Sequence, residues 1–220
     1  MIEGGPRYAD RHDAGRVLAG LLAALPLLAE RPPAAVLGLP RGGVVVAAPV
    51  AAALHVPLDA LVVRKLGVPG RPELAMGAVA AVARRLEVVW NHAVLARAEV
   101  PHAAIESVLR SEVAELRRRD ELYRGSRPPP ALAGGTVVVV DDGLATGATM
   151  RAALEAVRRR GARAVVVAVP VGAPETCRTV AREVDDLVCP WVPDPFRAVG
   201  QAYEDFAPTS DDEVHAALGA

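Results

Sequence analysis

Residues 137–150 have the sequence "VVVVDDGLATGATM", and their pattern is the clearest indication of the fold. Four consecutive valines, preceded by Thr136, predict a strand without a solvent-facing side, as in a sheet covered on both faces. Two aspartates end the strand, and a run of glycine, alanine and threonine follows them. Residues 150–160 return to helical spacing. The stretch therefore predicts a buried strand, a chemically distinctive loop and a helix.

Other segments repeat this order along the chain. Apolar runs at residues 35–39, 58–64 and 164–170 predict further buried strands, with helices between them. Strands that alternate with helices are typical of a parallel sheet. We therefore predict an α/β fold with a central parallel twisted sheet flanked by helices. Residues 78–90 predict a hairpin, and residues 102–123 a long amphipathic helix.

Composition limits the classes of function. The chain has 220 residues, with 25 basic and 26 acidic side chains and a formal charge of -1, which argues against a protein that coats nucleic acid. Its apolar stretches are too short to cross a membrane. The first residues lack the order of charges typical of a secretory signal, so we expect a cytoplasmic location. The length favours one domain over residues 1–220.

The loop after the valine strand has the composition of a phosphate site. Small side chains let a phosphate approach the backbone, and the start of a helix offers unpaired N–H groups. Asp141 and Asp142 would repel a phosphate, so we expect them to contact hydroxyls, or a divalent cation through hydroxyls or water. A phosphate beside a diol is a ribose 5-phosphate. The alternative is that the aspartates only cap a turn. The predicted phosphate loop consists of Ala145, Thr146, Gly147, Ala148 and Thr149.

"VVVVDDGLATGAT" resembles the motif by which type I phosphoribosyltransferases bind 5-phosphoribosyl 1-diphosphate (PRPP). The resemblance implies a core over about residues 30–190 and a small hood formed by the N-terminal segment and residues 189–220. It also implies transfer of a phosphoribosyl group from PRPP to a nitrogenous base, Mg²⁺ as the cofactor, a role in nucleotide salvage and a homodimer. The base itself is not readable from the sequence.

Other residues gain roles through this resemblance. "LPRGG", residues 39–43, is similar to the family's diphosphate loop, which implies diphosphate contacts from Arg41, Gly42 and Gly43. Arg64 and Lys65 stand at the predicted end of the second strand, where family members often place a basic residue. Lys65 is the only lysine of the chain, which favours a specific use of its ammonium group. The alternative is an exposed pair without a role.

The resemblance also implies a mobile flap and a base-stacking aromatic. The Gly- and Pro-rich segment after Lys65 is predicted to be a flexible loop that closes over the substrates, with Arg71 and Glu73 reaching them. Trp191 and Phe196 are the candidates for stacking on the base, although an aromatic near a chain end more often anchors the tail. Two other functions remain open. The chain could be a PRPP-binding regulator without turnover, or it could hydrolyse or phosphorolyse a ribose phosphate.

Overall fold

A computed structural model describes residues 8–125 and 127–219. The predicted part of the hood formed by residues 1–7 lies outside these residues. The elements in chain order are α1 Arg11–Ala23, α2 Pro26–Glu30, β1 Ala35–Gly38, α3 Gly42–Leu54, β2 Leu58–Ala60, β3 Val62–Val68, β4 Arg71–Val82, β5 Arg85–Trp90, α4 His92–Ala98, α5 His102–Arg124, β6 Thr136–Val140, α6 Ala148–Arg159, β7 Ala164–Ala168, α7 Pro174–Ala181, β8 Asp186–Val188, a 3-10 turn Val199–Ala202 and α8 Asp211–Leu218.

The central sheet is parallel, as predicted. Its five strands lie in the order β2, β1, β6, β7, β8. Every residue of β6 and β7 is buried, because helices cover both faces of the sheet. The side chains of α6 pack on one face, and those of α1 and α3 pack on the other. All five strands point the same way, so the loops after β1 and β6 meet at one edge.

A second, antiparallel sheet corrects the predicted second strand. Residues 58–64 form two strands: β2 pairs with β1, whereas β3 pairs with β4 in a separate sheet of order β3, β4, β5. The break falls at Leu61, whose N–H still bonds to the carbonyl of Gly38. An uninterrupted apolar run does not reveal where the pairing partner changes, so the sequence pattern missed the break.

The Gly- and Pro-rich segment after Lys65 is a β-hairpin, so the prediction of an irregular loop is wrong, whereas its closure over the substrates stays a prediction. It forms the ordered hairpin of β3 and β4, with Val68 paired to Arg71 across Pro69 and Gly70. Gly70 has a φ of 76°, a left-handed conformation that glycine adopts without a steric cost. Pro69 and Gly70 therefore form a tight turn between the two strands.

Two other local predictions are confirmed. The hairpin predicted at residues 78–90 is formed by β4 and β5, and its turn places Ala83 and Arg84 at φ values of 46° and 63°. Two consecutive positive φ angles match the twist of antiparallel strands. The long helix predicted at residues 102–123 is α5, which packs its apolar face on β3 and β4.

A buried ion pair joins α5 to the central sheet. Arg124, at the end of α5, contacts Asp59 of β2 with one guanidinium nitrogen, and with another it bonds to Asp120 Oδ1 at 2.9 Å. Only 3% of the Arg124 side chain and 5% of that of Asp59 are exposed. Burial raises the pKa of Asp59 above its ordinary value, although the guanidinium opposes that shift. Each of these buried charged groups is therefore stabilised by the opposite charge of the other.

We predict that Arg124→Ala lowers the free energy of unfolding by about 3–5 kcal/mol, because it leaves the Asp59 carboxylate buried without its partner. Urea unfolding followed by circular dichroism measures the change. Arg118→Ala is the matched control on the same helix, since 62% of the Arg118 side chain is exposed; it should change stability by less than about 1 kcal/mol. Equal effects of the two substitutions would contradict the role of the pair.

Candidate active site

The two loops predicted to bind substrate meet at the carboxyl edge of the central sheet. β1 and β6 are neighbours in register, with Gly38 opposite Val140. The N–H of Leu39 continues the pairing past the strand end and donates to the Val140 carbonyl at 2.9 Å. This contact brings the loop after β1 beside the two aspartates that follow β6. Two segments about 100 residues apart in sequence therefore share one site.

Gly42 and Gly43 are required by this close approach. A Cβ atom at Gly42 would lie 2.0 Å from Asp142 Oδ2, and one at Gly43 would lie 2.8 Å from the Cα of Asp141. No side chain fits at either distance. The Pro40–Arg41 peptide just before them is cis, and Arg41 is exposed. The glycines thus place the backbone of the first loop directly against the carboxylates of the second.

Asp141 and Asp142 differ in their surroundings. Asp141 Oδ1 accepts a hydrogen bond from the backbone N–H of Asp142 at 2.9 Å. Asp142 Oδ2 accepts from Nε of Arg11, also at 2.9 Å, and 20% of its side chain is exposed. Desolvation, together with the neighbouring Asp142 charge, raises the pKa of Asp141 well above its usual range. The two side chains therefore present carboxyl oxygens at the edge of the sheet, and Asp142 is held by Arg11 while Asp141 is held by its own loop.

The predicted phosphate loop forms the other side of the site. Gly147 precedes the first residue of α6 and has a φ of 73°. Among the residues that the structure describes, no side chain caps this helix, so its first N–H groups remain available to an anion. Thr146 and Thr149 are exposed, whereas Gly147 is buried. Thr176 of α7 also holds the loop, because its hydroxyl donates to the Ala145 carbonyl at 2.6 Å.

The predicted basic residues lie on the antiparallel sheet instead of at a strand end. Arg64 is inside β3 and forms an ion pair with Glu112 of α5 at 2.6 Å. Lys65 is exposed on the same strand. Arg71 and Glu73 are exposed on β4. In the described part of the chain, none of these four side chains bonds to the two predicted substrate loops, and their roles stay predictions.

Trp191 and Phe196, the predicted stacking residues, are half-buried in an apolar cluster of the tail. The cluster is centred on Tyr8, Val171 and Tyr203. Val171 and Trp191 also form a parallel β-bridge. These contacts are those of residues that anchor the C-terminal segment to the sheet. A role in binding the base stays a prediction.

Three residues at the site were missed by the sequence analysis: Arg11, Tyr203 and Phe206. The hydroxyl of Tyr203 donates to the backbone carbonyl of Asp142 at 2.6 Å, and burial beside that carboxylate raises the Tyr203 pKa. Arg11 holds the Asp142 side chain and lies 4.0 Å from the centre of the Phe206 ring. No local pattern marks these residues, because the contacts span 61 and 131 positions. The terminal segments nevertheless reach the centre of the site.

A separate cavity of about 560 Å³ runs along α6, between that helix and β4 and β5. Its walls include Trp90, Arg151 and Arg158, and both arginines bond to Glu183. Ala148 is its one residue from the predicted phosphate loop, and neither aspartate lines it. The cavity is therefore distinct from the edge where the two loops meet.

A metal ion at this site would need ligand atoms from a substrate or from water in addition to those of the protein. Within residues 8–125 and 127–219, no three side chains of the His, Cys, Asp or Glu type converge as a ligand set. Asp141 and Asp142 could contact a divalent cation together with substrate oxygens or water.

Within the described residues 8–125 and 127–219, no helix is both long and apolar enough to cross a membrane.

Most of the chain is similar to known proteins. Residues 7–198 match the model of the phosphoribosyl transferase domain. A protein of Mycobacterium tuberculosis strain H37Rv, provisionally named as a phosphoribosyl transferase, is 48% identical over 211 residues, which are 96% of this chain and 46% of that protein. A second relative, from strain CDC 1551 of the same species, matches equally. The chain thus spans about half the length of the curated relatives that it matches.

One solved structure is similar over nearly the whole chain. The crystal structure of the protein TT1426 from Thermus thermophilus covers 96% of this chain with 97% of its own length, at 45% identity and a TM-score of 0.82. The resemblance to type I phosphoribosyltransferases inferred from the sequence is confirmed. The chain belongs to the phosphoribosyl transferase family.

Proposed function

We propose that the chain binds PRPP at the edge where the two loops meet, and transfers its phosphoribosyl group to a nitrogenous base. The observation that carries the proposal is the arrangement around Asp141 and Asp142. On one side lies a helix start without a side-chain cap, and on the other lie Gly42 and Gly43 with no room for side chains. The carboxyl oxygens of Asp141 and Asp142 could thus accept hydrogen bonds from two hydroxyls. The start of α6 and the backbone of Gly42 and Gly43 each offer a position for a phosphate group.

Each part of PRPP has a matching group. The 5-phosphate would bind the first N–H groups of α6 and the hydroxyls of Thr146 and Thr149. The ribose hydroxyls would bind the carboxylates of Asp141 and Asp142, and the diphosphate would lie on the backbone of Gly42 and Gly43 beside Arg41. Carboxylate and phosphate oxygens suit Mg²⁺, so the Asp pair fits this ion. When bound, Mg²⁺ would neutralise charge on the diphosphate.

In the reaction, the bond between C1 and the diphosphate oxygen breaks, and its electron pair leaves with diphosphate. A nitrogen lone pair of the base forms the new bond to C1, and the base releases a proton if it began protonated at that nitrogen. Positive charge develops on the ribose ring before the new bond is complete. The aspartates would stabilise that charge and hold the ring in place, so no covalent enzyme intermediate is required.

The roles of the antiparallel hairpin stay predictions. Lys65 is exposed and could reach a departing diphosphate if the β3–β4 hairpin closes over the edge, whereas Arg64 is engaged by Glu112. Arg71 and Glu73 would approach with the hairpin tip. A homodimer and cytoplasmic nucleotide salvage are likewise part of the proposal.

The experiment that tests the function measures diphosphate release from PRPP and Mg²⁺ with a panel of purine, pyrimidine and pyridine bases. Release that depends on one base identifies a transferase and its acceptor. PRPP binding without release supports the alternative of a non-catalytic regulator. Release that is equally fast without any base indicates a hydrolase.

We predict that Asp142→Asn lowers kcat for base-dependent diphosphate release by about 100-fold or more, because an amide no longer stabilises the positive ring. Thermal unfolding of the variant shows whether the fold is kept. Asp212→Asn, an exposed change of the same chemistry in α8, should leave kcat within about twofold. An active Asp142→Asn variant would contradict the role of this carboxylate.

We also predict that Thr149→Val weakens the binding of PRPP by about tenfold, because one hydrogen bond to a charged phosphate is lost. Calorimetric titration with PRPP and Mg²⁺ measures the affinity. Thr179→Val is the control, since the Thr179 hydroxyl bonds only to a carbonyl of its own helix α7. Equal affinities of both variants would place the phosphate elsewhere.

A further inference from the structure

Arg11 leaves the N-terminal helix to reach the centre of the site. It is the first residue of α1, a helix whose N-terminus is capped by Asp10. Its Nε donates to Asp142 Oδ2 at 2.9 Å, and its Nη1 donates to the Ala207 carbonyl at 2.8 Å. Only 12% of the side chain is exposed. The guanidinium thus connects the N-terminal helix to Asp142 and to the C-terminal segment.

An aromatic pair supports the guanidinium. Phe206 lies with its ring centre 4.0 Å from Cζ of Arg11, a geometry that favours a cation. The Phe206 ring stacks on Tyr203 at 5.0 Å between centroids. Tyr203 in turn donates its hydroxyl to the backbone carbonyl of Asp142. One short segment of the tail therefore holds Asp142 by its main chain and, through Arg11, by its carboxylate.

The Arg11–Asp142 pair also borders the other substrate loop. A Cβ atom at Gly42 would lie 2.6 Å from Arg11 Nε as well as 2.0 Å from Asp142 Oδ2. The carboxylate is thus confined between Arg11 and the Gly42 backbone. Among the described residues, Asp142 Oδ1 accepts no hydrogen bond from any side chain or backbone group. One oxygen is held and the other is left for a ligand.

We propose that Arg11 is a positioning residue, which acts through Asp142 to present the free carboxylate oxygen to a ribose hydroxyl. The inference rests on the proposed PRPP site and adds to it a residue from the N-terminal helix. Arg11 acts through Asp142, and the two hydrogen bonds that fix its guanidinium are made to the protein. The terminal segments then position a side chain of the site, in addition to covering the sheet.

The test is a double-mutant cycle in PRPP affinity, measured by calorimetric titration with PRPP and Mg²⁺. We expect Arg11→Gln to weaken binding by about tenfold, and Arg11→Lys to weaken it less because the charge is kept. In an Asp142→Asn background, Arg11→Gln should change the affinity by less than about twofold, since the charged carboxylate that Arg11 orients has been replaced by a neutral amide. Arg16→Gln is the control on the same helix, where 61% of the side chain is exposed.

The outcomes separate the inference from the proposed function. If the wild type binds PRPP and Arg11→Gln binds it equally well, the inference is overturned while the function stands. The same holds if Arg11→Gln weakens binding equally in both backgrounds. A wild type that does not bind PRPP overturns both. Thermal unfolding accompanies each variant, and if Arg11→Gln does not fold, the cycle is run with Arg11→Lys, whose smaller effect must also vanish in the Asp142→Asn background.

Discussion

The close approach of two loops at the edge of the central sheet is the constraint on which the site depends. Gly42 lies against Asp142, and Gly43 lies against Asp141. Both approaches are so close that a Cβ atom on either glycine would clash with its neighbour. The contact is possible because β1 and β6 are adjacent parallel strands that end at the same level. Buried valines fix β6, and a parallel sheet with helices on both faces sets the position of both loops.

The terminal segments and the antiparallel sheet surround this edge in different ways. Arg11, Tyr203 and Phe206 hold Asp142 from the side of the chain termini. The β3–β4 hairpin carries exposed basic and acidic side chains on the second sheet. Helix α5 packs on that sheet and is joined to β2 by the buried pair of Arg124 and Asp59. The described contacts around Asp142 therefore come from the central sheet and the terminal segments, whereas closure of the hairpin over the site stays a prediction.

The sequence predicted the parts of the site that are encoded locally. Paired acids after a buried strand, and small residues before a helix, have few structural uses, so the loop at residues 141–149 was identified from its own residues. The division of residues 58–64 between two sheets was missed because strand pairing is a tertiary property of an apolar run. Arg11 and Tyr203 were missed for the same reason: each meets Asp142 only after the chain has folded.

The most direct test of the shared edge is a titration of the isotopically labelled protein with PRPP and Mg²⁺, followed by backbone amide signals in nuclear magnetic resonance spectra. We predict the largest shifts at two separate groups of amides, those of Gly42 and Gly43 at the start of α3 and those of residues 147–149 at the start of α6. Shifts confined to the cavity along α6, around Trp90 and Arg151, would contradict it.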